Sequence, residues 1–345
     1  MTAAKFVISL DFELFWGVSD TQTIAGYGCN VLGEWQVVPR LLALFRAHGI
    51  RVTWATVGMA MCRNYAQWRD IRPSILPGYT RIKTSPYLME KFVMEHPMLF
   101  FARPLVEQIL VTEGQELATH TYSHFYCNEA GATQHQFAAD LVCARIIAAD
   151  MGVHFRSVVL PRNQIIESFV SVLPDAGIKV YRGNAGHWLY QNGDAVAGGI
   201  AGRVARFTDA CLPLSGSRTV HERHNGCLVN VPASLFLYPW SARHRALVPL
   251  RLYRLKKCMT EAARMGGIFH LWWHPHNFGI NIEQNLAMLV EVLRHYHILA
   301  HTYGMRSYCM GDFSESAAPA FQFPIEMASA DPAVASIHSL PRSPQ

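Results

Sequence analysis

The chain has 345 residues, of which 50% are hydrophobic and 16% are charged, and its formal net charge is +5. This composition supplies a sizeable apolar core and excludes a disordered or a fibrous protein. The basic residues form no blocks along the sequence, so we expect no nucleic acid partner.

Short runs of strand-forming residues alternate with longer segments of helical periodicity. Strands are predicted at 5–10, 51–57, 115–119, 156–160, 179–181, 227–231 and 268–273, and helices at 37–48, 104–112, 134–151, 166–176, 242–264 and 282–295. Repeated strand–helix units favour parallel strands that are buried on both faces. The sequence therefore predicts an α/β fold, a distorted (β/α) barrel of about seven parallel strands with its active site at the C-terminal strand ends.

Two segments do not follow this alternation. Residues 68–103 are rich in Pro, Tyr, Phe and Met, and we interpret them as an insertion that could cover a binding site. Residues 314–345 are rich in Pro, Ala and Ser, which is typical of a tail without a core of its own. The sequence therefore predicts a single domain over residues 1–313, followed by a low-complexity C-terminal tail.

Cysteine usage and the N-terminus indicate a reducing compartment. The eight cysteines lie far apart and include no C-x-x-C pair, a pattern that favours buried thiols over disulfides. Asp11 and Glu13 interrupt the apolar run near the N-terminus, so this run does not fit a secretory signal. No stretch reaches the ~18 apolar residues that a membrane-spanning helix needs. We expect a cytoplasmic protein without a transmembrane segment, and the oligomeric state stays open.

Unusual polar residues follow several of the predicted strands. Asp11 and Glu13 stand at the end of the first, His120 follows the third, Arg162 the fourth and His274 a late one. Because the C-terminal ends of parallel barrel strands meet at one face, we expect these side chains to lie close together.

The segment HTYSH places His120 and His124 four residues apart, a spacing that suits two ligands of one metal ion. With 17 histidines in the chain, chance alone yields about one such pair, and three occur. This pair stands out because it directly follows a strand. A hydrolytic zinc site needs about three protein ligands and an open position for water. We favour Glu13 as the third ligand and Asp11 as the base that takes a proton from the attacking water.

These residues resemble the polysaccharide deacetylases, known as carbohydrate esterase family four. Five motifs occur in the family's order between residues 5 and 299, and each is weakly specific alone. In chain order they are 11–13 (DFE, an Asp-x-Glu variant of the first motif), 52–58 (VTWATVG), 120–124 (HTYSH), 160–163 (LPRN) and 273–276 (WHPH).

The resemblance implies a role for each matching residue. One divalent ion, zinc by default, would be held by Glu13, His120 and His124. Asp11 would be the general base. His274 would protonate the leaving amine and help to stabilise the oxyanion.

Three departures from the family pattern leave alternatives open. The first motif lacks the commoner pair of adjacent aspartates, so the roles of Asp11 and Glu13 could be exchanged. The resemblance implies that Arg162 pairs with Asp11, but the turn lacks the usual Arg-x-Pro order, so Arg162 could contact substrate instead. The additional His276 could share the role of His274.

Recognition of a sugar typically uses aromatic faces and polar groups near the reacting bond. Our candidates for substrate contact are Asn163, Arg182, Tyr122, Trp273 and His276. Trp16, Trp188 and Trp240 are further aromatic candidates, although large aromatic residues more often belong to the core. We interpret His270 as a core histidine.

The sequence therefore predicts a metal-dependent N-deacetylase, in which water activated by the ion attacks the amide carbonyl of an N-acetylated sugar. Its cytosolic features favour a biosynthetic precursor, for example in surface-polysaccharide assembly. Two alternatives remain: another C–N amidohydrolase of the purine-ring-opening type, and a non-catalytic carbohydrate-binding relative. A glycosidase is disfavoured, because acids two residues apart on one strand cannot flank a glycosidic bond at the ~5–9 Å that the reaction requires.

Overall fold

A computed structural model describes residues 3–184, 186 and 199–316 of the chain. Its strands are β1 (Lys5–Phe12), β2 (Val52–Thr56), β3 (Gln115–Thr119), β4 (Ser157–Val158), β5 (Val180–Tyr181), β6 (Arg223–Asn225), β7 (Leu228–Asn230), β8 (Leu235–Phe236), β9 (Ile268–Trp273) and β10 (Arg306–Tyr308). Its α-helices are α1 (Ile24–Leu32), α2 (Glu34–Ala47), α3 (Tyr65–Asp70), α4 (Glu90–Glu95), α5 (Arg103–Val111), α6 (Gln134–Ala149), α7 (Glu167–Val170), α8 (Gly199–Asp209), α9 (Val248–Met265) and α10 (Ile282–Tyr303).

All ten strands belong to one sheet with the order β6-β7-β5-β4-β3-β2-β1-β9-β8, and β10 pairs with β1. Every pairing between named strands is parallel except that of β6 with β7. The α/β class is confirmed. The expectation of about seven strands is too low, because β6, β8 and β10 have only two or three residues each and show no periodicity that a sequence reading detects.

β1 pairs with three other strands. Lys5–Leu10 pairs with β9, Ser9–Phe12 with β2, and Lys5–Val7 with β10. The seven residues that follow Lys5 are buried, including Ser9 and Asp11. A strand covered on both faces needs a continuous apolar run, and Asp11 breaks that rule. This buried charge therefore needs a partner within the sheet.

Capping residues define the helices that flank the sheet. Thr133 and Gln136 form a capping box at the start of α6. α9 and α10 end at Gly266 and Gly304, whose positive φ angles permit the left-handed turn of a C-cap. The helix predicted at 166–176 is shorter in the structure, because Pro174 starts a separate 3-10 turn after α7.

The 68–103 segment packs against the core through its two ends. Trp68 is fully buried and stacks on Trp16 with ring centroids 5.8 Å apart, and Phe100 is also fully buried. The segment contains α4 and several short 3-10 turns. At the C-terminus, a 3-10 turn spans Met310–Ser316, and the remainder of the predicted tail lies outside the described residues.

All eight cysteines are free thiols. Among the described helices, none combines the length and apolar character that crossing a lipid bilayer would demand.

Candidate active site

The end of β1 supplies two buried carboxylates. Asp11 lies within the strand, and Glu13 directly follows its last residue. Both residues are only 3% exposed. Gly17 leaves the space that Glu13 occupies, since a Cβ built on Gly17 would come within 2.0 Å of the carboxyl carbon of Glu13. Position 17 therefore needs a glycine, because the Glu13 side chain packs directly against its backbone.

His120 and His124 lie in a tight turn that begins where β3 ends. Thr121 and His124 have φ angles of 64° and 56°, a left-handed conformation that costs non-glycine residues free energy. The carboxylate of Asp140 on α6 holds the turn by accepting from the backbone N–H of Tyr122 at 2.7 Å and of Ser123 at 3.1 Å. The turn is thus braced in a strained shape that brings both imidazoles inward.

Both imidazoles face the same oxygen of Glu13. The Nε2 atoms of His120 and His124 lie 3.4 Å and 3.1 Å from Glu13 Oε2. His120 Nδ1 lies 2.8 Å from the carbonyl oxygen of Val159, which can only accept, so Nδ1 carries the hydrogen. A ring with its single hydrogen on Nδ1 directs an Nε2 lone pair at the carboxylate, an arrangement that a cation between them would stabilise. A carboxylate oxygen with two imidazole nitrogens is also a donor set that zinc prefers, so these residues fit a divalent ion.

Two groups of potential ligands share Glu13. Among the described residues, the ligand atoms of Glu13, His120 and His124 lie within 4.8 Å of one another, and so do those of Glu13, His274 and His276. In the second group, His276 Nε2 is 3.0 Å and His274 Nε2 is 3.8 Å from Glu13 Oε1.

Asp11 pairs with Arg182, which corrects the expectation that Arg162 does so. The guanidinium of Arg182 donates to both carboxylate oxygens of Asp11 at 2.7 Å and is fully buried. It also donates to Asn163 Oδ1 at 2.8 Å and to Ser9 Oγ at 2.9 Å. Arg182 was expected to contact substrate, but these contacts make it the counter-ion of Asp11.

This ion pair also shows that the sheet curls. Arg182 directly follows β5, and four inter-strand steps separate β5 from β1 in the sheet. In a flat sheet these steps would span about 19 Å, farther than an arginine side chain extends. The contact therefore requires a strongly curved, barrel-like sheet.

Arg162 lies at the rim of the site, on the turn Pro161–Asn163, where it has a φ of 54°. It donates to Asp20 and stacks over the ring of Tyr126 at 4.3 Å. The left-handed turn directs the side chain towards this acid and ring, and away from Asp11. Arg162 and Asn163 both line the cavity described below, so the alternative of substrate contact fits their placement.

The end of β9 carries the late histidine and an aromatic wall. His274 Nε2 lies 3.7 Å from Asp11 Oδ2, and the side chain is 24% exposed. Trp272 also faces the cavity and covers the guanidinium of Arg182 at 4.3 Å. Trp273, which was expected to contact substrate, is instead fully buried and stacks on Phe278, because consecutive strand residues point to opposite faces.

A cavity of about 510 Å³ opens above these residues. The residues that line it are Asp11, Glu13, Gly17, Val18, Thr21, His124, Arg162, Asn163, Arg206, Phe236, Trp272, His274, His276 and Asn277. Tyr122, another expected substrate contact, is not among them. Its ring is fully buried and its hydroxyl donates to the carbonyl oxygen of Ile71. No described residue of the 68–103 segment lines the cavity, and Trp188 lies outside the described residues.

The electrostatics of the site keep both carboxylates ionised. Burial alone would raise the pKa of Glu13, but the neighbouring His274 opposes this effect, and the pKa lies well below its ordinary value. For Asp11, burial is outweighed by Arg182 and by neighbouring histidines, so its pKa is lowered as well. Burial lowers the pKa of His124, which favours the neutral ring that binds a metal.

Among the described residues, one further buried histidine has a structural role. His270 is fully buried, and its Nε2 lies 2.8 Å from Ser9 Oγ, which in turn accepts from Arg182. Burial lowers the pKa of His270 to about 3, so the ring is neutral. This placement agrees with the interpretation of His270 as a core residue.

Solved structures with the same fold include one whose assigned function is that of a polysaccharide deacetylase. A structure assigned to that function in Mycobacterium smegmatis matches with a TM-score of 0.58 and 14% identity, over 95% of this chain and 96% of that one. Our chain therefore has the same fold as the Mycobacterium smegmatis protein. PuuE allantoinase matches with a TM-score of 0.54 and 11% identity, over 90% of this chain and 89% of that one.

A 4-alpha-glucanotransferase from Thermococcus litoralis has a TM-score of 0.51 and 12% identity, over 92% of this chain and 41% of that one. No family model and no curated protein matches the sequence. At these identities the likeness shows the fold alone, and the three proteins carry different activities. The chemistry of the site must therefore decide the function.

Several residues of the site were missed by the sequence analysis. Asp140 holds the turn that carries the two histidines, and Gly17 leaves space for Glu13. Nothing in the local sequence of either residue indicates these roles. Trp272 could have been found, because strand alternation places it on the same face as His274.

Proposed function

We propose that this chain is a metal-dependent hydrolase that removes the N-acetyl group from an N-acetylated carbohydrate. One observation carries the proposal: Glu13 Oε2 faces the Nε2 atoms of His120 and His124, and the Nδ1 hydrogen of His120 is committed to a backbone carbonyl. That arrangement is costly without a cation and favourable with one. An ion held there would polarise the amide carbonyl and acidify the attacking water.

Asp11 and His274 supply the proton transfers. Asp11, kept ionised by Arg182, accepts a proton from the water whose oxygen attacks the carbonyl carbon. His274 donates a proton to the amine nitrogen as the C–N bond breaks, and the proton held by Asp11 then restores His274, so that the amide and water yield acetic acid and a free amine. The two groups lie 3.7 Å apart at the floor of the cavity, within reach of one bound amide.

The cavity walls favour a sugar over a compact heterocycle. The partly exposed Trp272 offers an aromatic surface, and Asn163 and Arg162 supply polar groups at the rim. A volume of about 510 Å³ accommodates a molecule larger than a single small ring. The unpaired cysteines favour a reducing compartment, so we propose a cytoplasmic biosynthetic precursor as substrate.

An acetate-release screen tests the proposal. The purified chain, loaded with Zn²⁺, Co²⁺ or Ni²⁺, is incubated with nucleotide-linked N-acetyl sugars and with acetylated oligosaccharides. We expect release from at least one substrate, loss of release with a chelator, and loss of the ion in His120→Ala. Hydrolysis of allantoin or a related cyclic amide in the same screen would establish the amidohydrolase alternative. Ligand binding that survives in His120→Ala without any acetate release would establish a binding protein.

A further inference from the structure

The second histidine of the WHPH segment is tied into a polar network that the proposed reaction does not use. His276 is 3% exposed, and its Nε2 lies 3.0 Å from Glu13 Oε1. Its Nδ1 lies 2.8 Å from the hydroxyl oxygen of Tyr27 on α1. Asn277 Nδ2 lies 3.2 Å from both that hydroxyl oxygen and His276 Nδ1.

The hydrogens in this network can be assigned one by one. The amide nitrogen of Asn277 is a donor, so the oxygen of Tyr27 accepts from it. The phenol stays protonated, since burial raises the pKa of Tyr27 to about 12. The Asn277 nitrogen also lies 3.2 Å from His276 Nδ1 and can only donate, so Nδ1 accepts and the Tyr27 O–H points at it. A neutral imidazole with Nδ1 as acceptor carries its hydrogen on Nε2, facing Glu13.

We infer that His276 is a positioning residue, which donates its Nε2–H to Glu13 Oε1 and so turns Oε2 towards His120 and His124. The inference rests on the proposed function in that it takes Glu13 as a metal ligand. With its hydrogen on Nε2, His276 has no lone pair free for an ion. The group of Glu13, His274 and His276 is therefore not a second metal site.

The backbone around the network is built for close approach. A Cβ on Gly33, at the junction of α1 and α2, would lie 1.9 Å from the carbonyl oxygen of Gly279. A Cβ on Gly279 would lie 1.8 Å from the carbonyl oxygen of Asn30 on α1. These two glycines seat α1, and with it Tyr27, directly against the 3-10 turn Pro275–Phe278 that carries His276. Groups that orient a metal ligand typically change metal affinity about 10- to 100-fold when they are removed.

The test measures Zn²⁺ affinity by competition with a chromogenic chelator, and stoichiometry by elemental analysis. For the wild type we expect one ion per chain. For His276→Leu we expect one ion per chain with affinity lowered about 10- to 100-fold. His276→Gln can donate an amide N–H to Glu13 and should recover most of the loss. The absorption spectrum of the Co²⁺-loaded His276→Leu variant should match that of the Co²⁺-loaded wild type, which would show that the coordination number is unchanged.

A double variant tests the tautomer without removing the imidazole. Tyr27→Phe alone should change affinity little, because Asn277 still donates to Nδ1. Tyr27→Phe combined with Asn277→Leu removes both donors, frees Nδ1 to carry the hydrogen, and should weaken the ion several-fold. This variant also decides the matter if His276→Leu fails to fold.

Each contrary result has a distinct meaning. Two ions in the wild type and one in His276→Leu would make His276 a ligand and overturn the inference. Unchanged Zn²⁺ affinity in His276→Leu would mean that His276 contributes only packing, which overturns the inference and leaves the proposed function intact. A wild-type chain that binds no ion would overturn the inference and the proposed function together.

Discussion

The ion pair between Arg182 and Asp11 can be tested with the substitution Arg182→Met, which removes the positive partner of the buried carboxylate. Arg182 is fully buried, and its guanidinium donates four hydrogen bonds, two of them to Asp11. Methionine fills similar apolar volume but leaves the Asp11 carboxylate without its partner in the barrel interior. A buried charge that loses its partner typically costs about 3–5 kcal/mol.

That cost converts into a measurable shift of the melting temperature. For 345 residues the unfolding entropy is about 0.7 kcal/mol per kelvin, so 3–5 kcal/mol lowers the Tm by about 4–7 °C. Adding Asp11→Asn to the variant removes the stranded charge and should restore a large part of the loss. Because Arg182 helps to lower the pKa of Asp11, its contribution is largest at neutral pH and is lost as the pH falls through that lowered pKa.

Activity offers a second measurement of the same pair. Without Arg182, burial dominates and the pKa of Asp11 rises, so the acid limb of the kcat/KM profile moves to higher pH. Arg162→Met is the matched control, since Arg162 pairs with Asp20 at the partly exposed rim. It should leave that limb in place, because Arg162 donates to Asp20 and not to Asp11. Equal Tm values for wild type and Arg182→Met, or an acid limb that moves only in Arg162→Met, would refute this account.

Three further predictions follow from single contacts. Gly17→Ala should lower Zn²⁺ affinity by at least about tenfold in chelator competition, because the new Cβ would displace Glu13; an unchanged affinity would contradict the geometry. Asp140→Asn should cost about 1–3 kcal/mol in urea unfolding, since one amide oxygen cannot replace two acceptors; equal midpoints would show that the turn needs no brace. Burial without a partner raises the pKa of Glu34 well above its ordinary value, so the folded state holds an extra proton and stability falls as pH rises above about 4.5. In chelator-treated protein, Glu34→Gln should abolish this loss of stability, which is up to about 1.4 kcal/mol per pH unit. If the free energy of unfolding depends on pH in the same way in the wild type and in Glu34→Gln, the prediction is wrong.

The longer elements could be predicted because their periodicity reflects burial. β3 and β9 have the predicted bounds of 115–119 and 268–273, since each is a run of strand formers bounded by turns. β8 has two residues, Leu235–Phe236, and its pairing with β9 depends on contacts far away in sequence. No local pattern carries that information.

The choice of the wrong arginine has a similar cause. Arg162 and Arg182 both follow short parallel strands, so position along the chain does not distinguish them. Which guanidinium reaches Asp11 depends on the curvature of the sheet and on the left-handed turn at Arg162. Curvature accumulates from the twist of every strand, and a sequence motif does not encode it.

The two buried carboxylates of the interior differ in how their negative charges are compensated. Asp11 and Glu13 place two negative charges in a region of low dielectric, and Arg182 supplies one positive charge, which bonds Asp11. The charge on Glu13 remains, and its neighbours are three imidazole Nε2 atoms at 3.0–3.4 Å. His276 carries its hydrogen towards Oε1, whereas His120 presents a lone pair towards Oε2. Oε1 is therefore satisfied by a neutral donor, and Oε2 is the one point in this cluster where a positive ion relieves both the uncompensated charge and the opposed lone pairs.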